Sequence, residues 1–136
     1  MSAVETFFDT DVLLYLLSAD QSKADRSEAL LADGGHLSVQ VLNEFASIAA
    51  RKLKMPWKDV REVLATIRAV CATHAPTLDT HDRALSIAER YRLSFYDALI
   101  VAAALLADCT VLYSQDLQHG QIIEQKLAIC DPYLES

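Results

Sequence analysis

Four acidic residues stand where an ordinary solvated surface would not put them. Asp9 closes a short aromatic run, Thr6-Phe7-Phe8, and Asp116 follows soon after Thr110-Val111-Leu112-Tyr113. Asp97 opens the most apolar segment of the chain, and Glu44 lies three residues after Val41 and four before Ile48, at the border of a helical stripe. In an open parallel sheet both strand ends lie on the carboxyl edge, where α/β proteins form their ligand sites, so all four carboxylates can face one cleft. Acids gathered in a partly buried cleft repel one another and lose hydration, and each resists ionising unless a cation compensates. An all-oxygen set without His or Cys partners selects Mg²⁺ or Mn²⁺ over zinc, and Mg²⁺ commonly joins a few carboxylates to a substrate phosphate.

Taken singly, these acids have plainer roles. Asp9 can cap the helix that follows it, and Asp97 can serve as an acid in a first helical turn, favoured by the dipole. A capping role alone does not explain why acids follow two strands and border two apolar helices. Asp25, Glu28, Asp59, Glu62, Glu89 and Glu124 fall on ordinary polar faces and are assigned to solvent.

The elements that must position the four acids alternate between short β-like runs and longer helical periods, which is the α/β pattern. Strands are expected at Thr6-Phe8, His36-Ser38, Thr110-Tyr113 and Leu127-Cys130, with a weaker one at Ala75-Pro76-Thr77-Leu78. Helices are expected over Val12 to Leu17, Ser22 to Ala32, Val39 to Lys54, from Pro56 through Val70, Thr80 to Arg92 and Tyr96 to Ala107. Arg51, Lys52 and Lys54 would occupy the last turn of the third helix, where cations suit the dipole. Val60, Val63, Leu64, Ile67 and Val70 form the buried stripe of the fourth, and Ala84, Leu85, Ile87, Ala88 and Tyr91 that of the fifth. The sixth is apolar nearly all round and should be the most buried.

The 136 residues are a prior for one domain, 1–136, and 52% hydrophobic residues supply material for a core. Three Gly and three Pro leave little room for linkers. The longest apolar run, Ala98 to Ala107, is about half of what a membrane-spanning helix needs, and Met1 to Glu5 has no basic leader region, so a cytoplasmic protein is expected. Twelve Lys or Arg against nineteen Asp or Glu give a net charge of −7, which argues against simple electrostatic binding of nucleic acid. Cys71, Cys109 and Cys130 lack Cys-x-x-Cys spacing and read as reduced core residues.

Four blocks of this chain together resemble a family. Phe7-Phe8-Asp9-Thr10-Asp11-Val12-Leu13-Leu14-Tyr15, Asn43-Glu44, Ser94-Phe95-Tyr96-Asp97-Ala98-Leu99-Ile100 and Tyr113-Ser114-Gln115-Asp116-Leu117-Gln118-His119-Gly120 look like the acidic blocks of PIN-domain ribonucleases, in the family's order. The toxins of VapBC-type toxin–antitoxin pairs are the most similar group. The resemblance implies a single α/β domain with a parallel sheet of four to five short strands flanked by helices. It maps Asp9, Glu44, Asp97 and Asp116 onto the acidic metal-site quartet, and Ser114 onto the small hydroxyl residue that supports it. Asp11 departs from the pattern, since the family more often has Asn there; the added carboxylate serves either as a further ligand or as support for one.

The chemistry such a cluster can run is metal-assisted phosphodiester hydrolysis, in which bound Mg²⁺ acidifies water and stabilises the charge that builds during displacement. Asp9, Asp97 and Asp116 are the candidate direct ligands, with Glu44 binding through water or orienting the nucleophile. The resemblance implies an RNA substrate, tRNA or rRNA loops above all, a small antitoxin that inserts a basic side chain into the cleft, and a homodimer. Phosphate contacts would fall to Arg51, Lys52, Lys54, Lys58 and Arg61, which serve equally well as helix-end and solvent-face charges. Tyr96 and Trp57 could stack on bases, although core packing is the stronger expectation for each.

Three other functions share some of these features. Asp9-Thr10-Asp11 after a strand is similar to the Asp-x-Asp of haloacid-dehalogenase-like phosphatases. That chemistry needs a later lysine and paired acids near the fourth strand, yet no Lys occurs between Lys58 and Lys126, and Asp116 has no close acidic neighbour in sequence. A phosphate-receiver domain fails because the run around Thr77 does not end in Asp. A catalytically silent RNA- or protein-binding module of the same fold would be expected to have lost some of the four acids, and all are present.

Overall fold

A computed structural model describes residues 5–134. The expectation about the first residues therefore falls, for Met1 to Val4, outside the described residues. Parallel strands β1 (Thr6–Phe8), β2 (Gly35–Ser38), β3 (Cys71–His74), β4 (Val111–Tyr113) and β6 (Leu127–Cys130) form one sheet with the two-residue β5 (Ile122–Ile123), in the order β3-β2-β1-β4-β6-β5. Among the described strands only β5 runs antiparallel, against β6. Phe7, Phe8, Leu37, Leu112, Leu127 and Ile129 are fully or almost fully buried, as strands covered on both faces require.

The helices are α1 (Thr10–Leu14), continued by a tight 3-10 turn at Tyr15–Leu17, α2 (Gln21–Ala32), α3 (Val39–Arg51), α4 (Trp57–Val70), α5 (Leu78–Tyr91) and α6 (Phe95–Leu106). Each of α1, α2, α3, α5 and α6 starts at a side-chain cap: Asp9, Asp20, Ser38, Thr77 and Ser94. Helix α4 starts at Pro56, which offers no side-chain cap; its carbonyl accepts from the Asp59 and Val60 N–H groups. As expected, α6 is the helix most enclosed by the core, with Ala98, Ile100, Val101, Ala102, Ala104 and Leu105 buried. Between α2 and β2 the chain reverses at Gly34, with φ +82; a Cβ there would lie 2.9 Å from the Val70 carbonyl oxygen, so only glycine fits.

Several expectations are corrected. The third strand is Cys71–His74, not Ala75 to Leu78. The chain passes straight from α4 into β3, whereas Pro76 offers no N–H to a ladder and Thr77 with Thr80 forms the capping box of α5. Helix α3 ends at Arg51; Lys52 is its cap and Lys54 adopts a left-handed conformation beyond it, so only Arg51 lies in the last turn. Val70 and Leu85 are exposed rather than inward-facing. Trp57 and Tyr96, expected in the core, are 61% and 67% exposed; each sits in the first turn of its helix, on a side that no neighbouring element covers. The six acids assigned to solvent are all exposed. Cys71, Cys109 and Cys130 are free, and burial pushes the Cys71 and Cys109 thiols up to about 11 and about 12, which keeps them unreactive.

Candidate metal centre

Strand order explains where the acids meet. From β1 the sheet grows one way through β2 to β3 and the other way through β4, so the direction reverses between β1 and β4. The crevice at the carboxyl end of such a reversal is where open α/β sheets place ligands. Asp9 follows β1 directly, and Ser114 to Asp116 follow β4. Helix α3, leaving β2, carries Glu44 to the same edge, and the first turn of α6 brings Asp97. The four acids expected at the site, together with Asp11, line one cleft of about 350 Å³.

Asp9 is 4% exposed and its carboxylate is held at both oxygens. Thr10 N–H donates to Oδ1 at 2.6 Å, and the fully buried Ser114 hydroxyl donates to Oδ2 at 2.7 Å. Burial nevertheless raises Asp9 to about 6; those two hydrogen bonds oppose the rise, and the charges of Asp97 and Asp116 add to it. Asp11 rises further, to about 7, through burial first and then the charge of Asp9. Its Oδ2 accepts from the backbone N–H groups of Gln115 at 2.9 Å and Asp116 at 3.2 Å. Its Oδ1 is buried and has no hydrogen-bond partner among the described residues. Asp97 is raised by burial and by Asp116 and Glu44, against the hydrogen bond from Ser94.

Carboxylate oxygens of Asp9, Asp11 and Asp116 lie within 4.8 Å of one another. Asp97 and Glu44 face the same cleft from its helical side. Glu44 is oriented by two donors, the Thr10 hydroxyl at Oε1 and Gln40 Nε2 at Oε2, the latter 3.2 Å away. Gln40 also donates to the Tyr96 carbonyl at 3.0 Å, which ties α3 to the start of α6. Among the cations proposed for phosphate contact, Arg51 lines the cleft, where its Nη2 donates to Ser47; Lys52, Lys54, Lys58 and Arg61 are exposed on the α3–α4 connection and the start of α4.

Sequence reasoning singled out neither Thr10 nor Gln40, the two residues that hold Glu44. Two signals pointed toward them: Thr10 stands between two carboxylates, and Gln40 precedes Glu44 by one helical turn.

The donor set suits a hard divalent cation. It is all oxygen, burial and neighbouring carboxylates push Asp9 and Asp11 toward protonation, and Asp11 Oδ1 is buried without a hydrogen-bond partner among the described residues.

A family model described as PIN domain matches residues 6–123. The chain belongs to the PIN domain family. As a PIN domain it has the expected parallel sheet of five strands flanked by helices, with β5 as an antiparallel addition at one edge. Comparison of the sequence with curated proteins finds no match. Among solved structures, this PIN domain is similar to a chain of a toxin–antitoxin complex from Klebsiella pneumoniae, with TM-score 0.70 and 20% identity over 94% of this chain and 98% of that one. It is also similar to VapC20 of Mycobacterium tuberculosis, a toxin described as cleaving the sarcin–ricin loop, with TM-score 0.65 and 22% identity over 80% of this chain and 88% of that one. No helix among the described residues is long and apolar enough to cross a membrane.

Proposed function

We propose that this PIN domain is a Mg²⁺- or Mn²⁺-dependent endoribonuclease, acting as the toxin of a toxin–antitoxin pair. The observation that carries the reading is the convergence of Asp9, Asp11, Glu44, Asp97 and Asp116 on one cleft at the reversal of sheet direction. Family membership and the likeness to toxin structures support it.

Asp9, Asp11, Asp97 and Asp116 would hold the cation, which when bound supplies Lewis acidity toward a phosphodiester and acidifies water. Asp9 is fixed by Thr10 and Ser114, so its lone pairs facing the cleft stay in place without further ordering. Glu44, gripped by Thr10 and Gln40, is the residue that would orient the attacking water and take its proton. Arg51 at the cleft, with Lys52, Lys54, Lys58 and Arg61 beyond it, would hold RNA phosphates on either side of the cut. Structured RNA, tRNA or rRNA loops, is the substrate class.

The net charge of −7 then bears on control. Without a cation the cleft repels phosphate, and a small antitoxin could silence it by inserting a basic side chain whose guanidinium replaces the metal's charge. A cytoplasmic homodimer completes the reading. Sequencing of RNA ends after induced expression of wild type and Asp97→Asn tests it: clustered new ends at one loop, absent from the variant, are expected. Purified protein that bound neither Mg²⁺ nor Mn²⁺ and cleaved equally with and without the substitution would sink the proposal. For the partner, the product of the adjacent reading frame should co-purify and suppress toxicity.

A further inference from the structure

Asp116 is exposed, in a loop that must stay beside two other carboxylates. Like charges within 4.8 Å of one another push such a loop outward unless something holds it. Two residues one helical turn apart reach over the same dipeptide. Asp11 accepts from the N–H groups of Gln115 and Asp116, and Tyr15 donates its hydroxyl proton to Gln115 Oε1.

Gln115 Oε1 is a carbonyl oxygen and only accepts, so the Tyr15 hydroxyl is the donor, and a third residue polarises that hydroxyl. Lys23 Nζ lies 3.2 Å from the Tyr15 hydroxyl, and an ammonium only donates, so the Tyr15 oxygen accepts from Lys23 and sends its own proton to Gln115. A hydrogen bond polarised in this way by a cation is stronger than a neutral pair. The Tyr15 ring is itself held in place. Lys23 Nζ stands 4.5 Å from its centroid, and the Tyr133 ring meets it edge-on at 4.6 Å. Tyr133 is anchored in turn by a hydrogen bond between its hydroxyl and that of the fully buried Ser27 on α2.

We propose that Lys23, Tyr15 and Gln115 form a positioning relay that holds the Asp116 loop against carboxylate repulsion and so sets the divalent-cation affinity of the cleft. The inference rests on the cation reading above. None of the three lines the acidic cleft, so they act on it through Asp11 and Asp116.

The test compares wild type with Tyr15→Phe, which removes the hydroxyl and keeps the ring, and with Gln115→Met, which removes the amide from a loop side chain. Amide hydrogen exchange over residues 114–117 is read in the metal-free proteins, and Mn²⁺ affinity is read by calorimetry or paramagnetic resonance. Both variants are expected to exchange faster at Gln115 and Asp116 and to bind Mn²⁺ about tenfold more weakly, the scale seen when outer-shell partners are removed. A structural role alone would lower the unfolding temperature and leave Mn²⁺ affinity unchanged. Unchanged affinity in both variants, with wild type binding Mn²⁺, overturns the relay whatever the exchange shows. If wild type bound no Mn²⁺, the cation reading would fall, and with it the relay's effect on affinity. Exchange at Gln115 and Asp116 would still show whether the three residues hold the loop.

Discussion

The Ser114 hydroxyl donates to Asp9 Oδ2 across 2.7 Å, joining the ends of β1 and β4 through residues 105 positions apart in the chain. Both groups are buried, and the same Ser114 oxygen accepts from the Leu117 N–H at 3.2 Å. One side chain therefore sets the orientation of a candidate ligand and the path of the Asp116 loop.

Ser114→Ala should lower stability by about 1–3 kcal/mol, because it leaves a buried carboxylate oxygen and a buried amide short of a partner. The hydrogen bond favours ionised Asp9, so its loss should move the Asp9 carboxyl above about 6 in the metal-free protein. Chemical denaturation and a carboxyl titration by magnetic resonance measure the two effects; an Asp9 value that stayed put or fell would contradict the account.

The contribution of Asp9 and Asp11 to the stability of the metal-free protein should fall as pH rises toward about 7. Asp9 and Asp11 have folded values of about 6 and about 7 against 3.8 when unperturbed, so the folded state binds more protons than the unfolded state between those limits. Stability from these groups is thus fully present at acid pH below the unfolded value and drains away up to about pH 7. Millimolar Mg²⁺ should restore it near neutrality and matter little near pH 4, where protons already occupy Asp9 and Asp11. Thermal unfolding across this range, with and without Mg²⁺, gives the comparison, and a Mg²⁺ effect as large at pH 4 as at neutrality would count against a carboxylate site.

Asp11→Asn keeps an oxygen to accept from the Gln115 and Asp116 amides while removing a charge whose Oδ1 has no hydrogen-bond partner among the described residues. In the metal-free state near neutrality this should stabilise the fold by on the order of 1–3 kcal/mol, as removal of an uncompensated buried charge does. Mn²⁺ binding should weaken at the same time. A variant less stable than wild type at neutral pH would show that the Asp11 charge is compensated in some other way.

Tyr96→Ala and Trp57→Ala should each change stability by less than about 0.5 kcal/mol, since both rings are mostly exposed. Tyr96 lines an apolar cavity of about 460 Å³ and is the neighbour of Asp97 in sequence, so its loss should weaken RNA binding on the scale of one stacked base, about 1–3 kcal/mol. Binding of a labelled RNA to the Asp97→Asn protein, with and without Tyr96→Ala, isolates that contribution from cleavage; equal affinities would remove Tyr96 from the RNA path.

Much of this architecture was legible from local patterns. Short β-branched or aromatic runs ending in Asp9 or preceding Asp116, and the apolar periods of α3 and α6, depend on spacing along the chain, which the sequence displays directly. The quartet Asp9, Glu44, Asp97 and Asp116 could be picked out because acids at strand ends and stripe borders are costly without a purpose. Packing between distant segments was needed for the rest. Asp11 joined the cluster because β4 lies beside β1 and lays its following amides over that carboxylate. β3 lies four residues earlier than the weak strand expected at Ala75 to Leu78, because Pro76 and the Thr77–Thr80 cap claimed that segment for the start of α5. Trp57 and Tyr96 stayed in solvent because exposure follows from which neighbour covers a helical turn, and that depends on the whole assembly of elements. The kinds of group available to the site are written in residue type and spacing. Their distances, their resistance to ionisation and the Lys23–Tyr15–Gln115 contact arise when parallel pairing brings strands from opposite ends of the chain side by side.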